Sequence, residues 1–156
     1  MNTITTRRTF LATCAAGAVA LAARADDKPR KLLMIAGTPS HGPGDHEFNA
    51  GTTLLHQCLR RANVPGLTAT LHLNGWPKDE SLFDGVDAIF LFSDGGGGHP
   101  FIQGERAKKI DALMKKGVGL MCAHFAVEVP KNKGSAEFKE WIGGHYEHEY
   151  SVNPMW

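Results

Sequence analysis

Cysteine is scarce in this chain: Cys14, Cys58 and Cys122 are the only three in 156 residues. A disulfide-dense scaffold is therefore excluded, and the fold must be held by packing. No Cys-x-x-Cys occurs, and no two histidines have the helical i, i+4 spacing of a zinc protease motif, so no ready-made metal signature is present. Charge of one sign is also lacking, with 17 Lys and Arg against 16 Asp and Glu. Without a basic excess, nucleic acid is not an expected partner. Nor is there a long apolar run, since the longest, Leu11–Ala23, is too short to span a bilayer comfortably. What is present is an ordinary globular share of apolar residues, 42%, together with eight histidines.

The apolar run has a context of its own. Arg7-Arg8 precede it, and Ala23-Arg24-Ala25 closes it as a small-x-small cleavage site. Residues 1–25 thus resemble a twin-arginine export signal, an address read by a receptor and not an anchor. Cys14 lies too early, behind Thr13, for a lipidation site. Cleavage after Ala25 would remove Arg7, Arg8 and Arg24 and no acid, leaving 14 basic against 16 acidic residues. The expected mature protein is exported, periplasmic, slightly acidic and without a stable membrane anchor.

Residues 26–30 read as a polar linker, and 31–156 as one domain. Lys31–Ala36 is a short apolar run ending at Gly37-Thr38-Pro39, which suits a strand buried on both faces of a parallel sheet. Phe48–Ala62 carries Leu54, Leu55, Cys58, Leu59 and Ala62 at helical spacing and is stopped by Pro65-Gly66. Thr68–Leu73 alternates as a strand, Lys78–Gly85 is a short turn delivering Leu82 and Phe83 to the sheet, and Val86–Phe92 is a third strand. Gln103–Lys116 predicts a helix with Ala107, Ile110, Leu113 and Met114 inward and Gly117 as its stop. Val118–Ala123 is a fourth strand, and Ser135–Ile142 a last helix with Ser135 as cap. The order predicts an α/β fold of three layers with a mostly parallel sheet.

In such a sheet the loops after successive strands gather on one edge, where ligands bind. The loops carrying His41, His46 and Glu47, then Asp94 and His99, then His124 and Glu128, are expected to meet there. Imidazoles and carboxylates together suit either a divalent metal such as zinc or proton exchange near neutral pH, and spacing alone leaves both open. Gly95–Gly98 lacks the Lys-Ser/Thr of a phosphate loop, which argues against a nucleotide; it is either a tight turn or lid, or a backbone contact for an anion or a sugar hydroxyl. Cys122 is a poor nucleophile: a nucleophile elbow needs flanking glycines, and Leu120 and His124 stand in those places.

Several pieces together, Gly37-x-x-x-His41-Gly42 with His46-Glu47-Phe48-Asn49, Ser93-Asp94-Gly95-Gly96, Gly117–Leu120 leading to His124, and Trp141-Ile142-Gly143-Gly144, resemble the trehalose-utilisation (ThuA-like) domain family. The resemblance covers about residues 31–156. It implies a flavodoxin-like sheet similar to that of the class I glutamine amidotransferases, and a role in carbohydrate metabolism in exported proteins. Where the family ends its fourth strand in Gly-Leu-His, this chain has Cys122-Ala123-His124. His124 thus carries over, and a Cys-dependent glutaminase is not implied. The family domain ordinarily runs further, which implies that a last strand and helix are lacking after Trp156.

The expected activity is therefore chemistry on a sugar or glycoside derivative. Glu47 or Asp94 would be the carboxylate base or orienting partner, His41 and His124 the acid/base groups, and His46 with His145 the ligands of any metal. The alternatives are a non-catalytic carbohydrate-binding or interaction module, or an inactive truncated relative.

Overall fold

The computed structural model describes residues 28–146 and residue 151. The proposed export segment, the first residues of the linker, and His148, Tyr150 and the Pro-Met-Trp ending lie outside the described residues.

Four strands form one all-parallel sheet: β1 (Arg30–Ala36), β2 (Leu67–His72), β3 (Ala88–Phe92) and β4 (Gly119–Ala123), in spatial order β2-β1-β3-β4. Among the described residues, three α-helices connect or follow them: α1 (Phe48–Ala62), α2 (Arg106–Lys115) and α3 (Ser135–Ile142). This is the flavodoxin-like arrangement. β1 lies between two neighbours, which is why its second half, Leu33 to Ala36, is almost wholly buried. Its polar start is tied to β3 instead, as the Lys31 backbone N–H donates to the Asp87 carboxylate at 2.8 Å. That bond, ahead of the Arg30 guanidinium, holds Asp87 below the usual carboxylate range.

The crossover from β1 leads to one side and that from β3 to the other, so right-handed connections place α1 and α2 on opposite faces. On the α2 face, Leu33, Ile35, Ile89 and Leu91 of the sheet pack with Ile110 of α2, Phe101 and Phe83 in the main core. Phe83 arrives on a single 3₁₀ turn, Glu80–Phe83, whose Ser81 N–H donates to the capping Asp79 carboxylate at 3.0 Å. Ile102, Val129 and Phe138 form a second, smaller cluster under α3.

Two local expectations are corrected. Ser135 is the first residue of α3 and not its cap; Gly134 takes that position at φ 97°, a backbone conformation that favours glycine. On α1 the apolar stripe is only partly covered. Phe48 and Thr52 are buried, but Leu54 is 61% exposed and Leu55 44%. Leu55 and Leu59 instead border an open apolar depression of about 590 Å³ with Met34, Phe90 and Met121. Among the described residues, no helix is long and apolar enough to cross a membrane.

Candidate functional site

In this strand order the chain leaves β1 to one side and β3 to the other, making the crevice beyond their carboxyl ends the switch point where open α/β sheets bind ligands. The loop after β1 supplies Ser40, His41 and His46, the residue after β3 and Ser93 is Asp94, and β4 runs directly into His124. Close backbone approach holds the first two loops together. The Gly37 N–H donates to the Phe92 carbonyl at 2.8 Å, and a Cβ on Gly37 would stand only 2.6 Å from that of Ser93.

Asp94 is the hub. Its Oδ2 accepts from the Ser40 hydroxyl, and its Oδ1 lies 3.0 Å from His46 Nδ1. His41 Nδ1 stands 3.4 Å from Oδ2 and 2.8 Å from Ser40 Oγ. Because Ser40 gives its proton to Asp94, its oxygen must accept from His41, which puts the His41 proton on Nδ1. The carboxylate likewise fixes the His46 proton on Nδ1. Each ring keeps Nε2 as its free lone pair in the neutral form.

The imidazoles are close to one another. The His41 and His46 ring centroids are 3.8 Å apart, and His124 meets His46 edge to face at 4.5 Å. Phe125 and Phe48 border the same rings, with Phe125 4.4 Å from His124 and Phe48 5.8 Å from His46. Partial burial lowers the His124 pKa, the neighbouring His46 adds to this, and the Asp94 carboxylate opposes it. The net direction leaves His124 neutral at neutral pH. His46 and His124 both sit at positive φ, 45° and 61°. Non-glycine residues in that region cost of order 1–3 kcal/mol each, and such positions cluster at functional sites.

Of the residues expected from sequence, His41, His46, Asp94 and His124 come together, and Glu47 and His145 do not. Glu47 is exposed and turns back on its own loop, where its carboxylate accepts from the Gly44 N–H at 2.8 Å. Of the two expected carboxylates, only Asp94 lies against the imidazoles. His145 has both nitrogens engaged elsewhere: Nδ1 donates to the Tyr146 carbonyl at 2.8 Å, and Nε2 lies 3.1 Å from Ser135 Oγ. It is not in the cluster that holds His46, so the pairing of those two as metal ligands is corrected. His99 lies below the cleft, fully buried in the core. Burial pushes the Cys122 thiol up to about 12, which keeps it protonated and inert.

Ser40 was not singled out from the sequence, although its place beside His41 was the signal available. Asn49, named only within the His46–Asn49 piece, and Asn74 form a brace that the sequence does not announce. They brace the start of α1 against the turn after β2 through Asn49 Nδ2 to Asn74 Oδ1 at 2.8 Å and Asn74 N–H to Asn49 Oδ1 at 3.2 Å. No protein-family model, curated protein or solved structure matches this chain.

Proposed function

We propose that this chain is an exported enzyme of carbohydrate metabolism that acts on a sugar or glycoside derivative by histidine and carboxylate acid–base chemistry. One observation carries the reading. Asp94 at the switch point orients two imidazoles while a third, His124, stands within ring contact of one of them, His46. Such a set can take a proton from one sugar hydroxyl and give one to another position without any charged group being buried. In this scheme Asp94 is the orienting carboxylate, His41 and His124 exchange protons with the substrate, and Ser40 fixes the His41 tautomer. The part-exposed ring of Phe125, 4.4 Å from His124, suits the apolar face of a pyranose ring. The resemblance to the ThuA-like family supports the substrate class, and the Arg7-Arg8 segment supports export.

Incubation of the purified protein with a panel of sugars and glycosides, followed by mass spectrometry, tests the activity. His124→Ala should reduce turnover roughly 100-fold or more, in the range of general acid–base contributions. Its thermal transition should stay close to that of the parent, because His124 is exposed. Calorimetric binding of sugars with no product from any of them would replace the enzyme by a carbohydrate-binding module. Unchanged turnover in His124→Ala would remove that residue from the mechanism.

A further inference from the structure

We infer that His41, His46 and Asp94 form a centre for one divalent transition-metal ion of the zinc class, with His124 beside it and outside its ligand set. The inference deepens the acid–base reading and rests on the same site, but it is read out without any sugar.

The geometry is the first ground. One nitrogen of each ring and one carboxylate oxygen lie within 4.8 Å of one another. Tetrahedral zinc with bonds of about 2.0–2.1 Å sets neighbouring ligand atoms about 3.4 Å apart. His41 Nδ1 and His46 Nδ1 already stand 3.4 and 3.0 Å from the two Asp94 oxygens. Closing the set asks for rotation of His41, whose side chain is 47% exposed and would give up its contact with Ser40 Oγ.

Hydrogen bonding alone accounts for less of the arrangement. Ser40 satisfies one Asp94 oxygen and His46 the other, so the carboxylate does not need His41. Yet His41 is brought to 3.8 Å from the His46 ring, a separation at which two imidazolium ions would repel and two neutral rings can share one cation. His46 is held there at φ 45°, a strained conformation that a surface loop could relax. An ion taking the place of the two ring protons would exchange each imidazole to its other neutral tautomer and leave the Asp94 charge compensated.

The donor set also indicates the kind of site. Two imidazoles and one carboxylate are the ligands of catalytic zinc, which keeps an open position, whereas structural zinc is closed by four protein ligands. Exposure of 25–47% across the three side chains leaves room for water or a sugar hydroxyl as a further ligand. His41 then holds the ion, and the proton-transfer task falls to His124.

The full chain, carrying Cys58→Ser to remove an exposed thiol ligand, would be stripped with a chelator and titrated with Zn²⁺ by calorimetry and with Co²⁺ by visible absorption. One equivalent should bind. His41→Ala, His46→Ala and Asp94→Asn should each weaken binding roughly 100-fold or more, beyond the range seen for outer partners of a metal site. They should also abolish the cobalt bands, while His145→Ala should bind as the parent does. Thermal melting accompanies each variant, and exposed His41→Ala keeps the test decisive should His46→Ala fail to fold. Binding below one equivalent, or binding unaltered in His41→Ala, overturns the inference, as does its loss in His145→Ala. Failure to bind zinc would leave the acid–base reading in place, since sugar turnover tests that reading separately.

Discussion

Gly95→Ala should cost this domain about 3 kcal/mol or more and lower its thermal midpoint by on the order of 10 °C. A Cβ at that position would lie 2.4 Å from the Phe125 carbonyl oxygen, 2.6 Å from the Glu128 carbonyl oxygen and 2.6 Å from Glu128 Cβ. None of these is the far end of a flexible side chain, so the main chain itself must move. The Gly96 N–H donates to the Glu128 carbonyl at 2.9 Å, which seals the same contact. Backbone here meets backbone across the loops that follow β3 and β4. The displaced segment begins with the 3₁₀ turn His124–Val127, so the substitution should also part His124 from His46 and Asp94 and remove ligand binding with stability. Gly97→Ala is the control. Nothing lies within 4 Å of a Cβ there, and its stability should stay within about 0.5 kcal/mol of the parent. Thermal and urea melts of the two variants compare a close approach with a merely glycine-rich run; equal midpoints would show that the loops do not need this contact.

That contact marks where reading the sequence stops. Strand and helix identity was legible because it depends on spacing: Phe48–Ala62 and Ser135–Ile142 have the bounds their apolar periods and stop residues suggest, and each strand ends within one or two residues of expectation. The gathering of His41, His46, Asp94 and His124 was legible for a different reason. Parallel strands must all end at one edge, and each of these residues lies on a segment that directly follows a strand. Side-chain direction was not legible. His46 and His124 reach the cluster from left-handed backbone, a conformation that no local residue pattern announces for histidine. Glu47, one residue from His46, is turned instead into its own loop by the Gly44 N–H. His145 is withdrawn by Ser135, a partner ten positions away whose hydroxyl the sequence suggested as a helix cap. The stripe of α1 shows a further limit, since periodicity says which side of a helix is apolar but not how much of it the sheet covers.

Acidification from pH 7 to pH 4 should remove about 3 kcal/mol of stability through His99 alone, a residue that contributes nothing to the cleft. Its ring is fully buried, and its two nitrogens have opposite jobs. The Phe101 N–H donates to Nδ1 at 3.1 Å, so Nδ1 must be the acceptor, and Nε2–H therefore donates to the Ala126 carbonyl at 3.0 Å. A proton on Nδ1 would face another N–H and place a charge in the core against the edges of Phe101 and Phe138. Burial accordingly pushes the His99 pKa down to about 4, while the bond to Ala126 pulls weakly the other way. The sign follows from proton uptake. Above the unfolded value of about 6.5 both states are neutral, and His99 makes no pH-dependent contribution. Between about 6.5 and 4 the unfolded chain binds a proton that the folded chain refuses, so stability falls as pH falls; below about 4 both bind it and the loss is complete. His99→Gln should be less stable at pH 7, because it gives up one of the two hydrogen bonds, yet its stability should change far less across that window. Urea melts of parent and variant at pH 7.0, 5.5 and 4.5 measure the difference directly. Parallel pH profiles for the two proteins would mean that the acid sensitivity lies in the carboxylates and not in this ring.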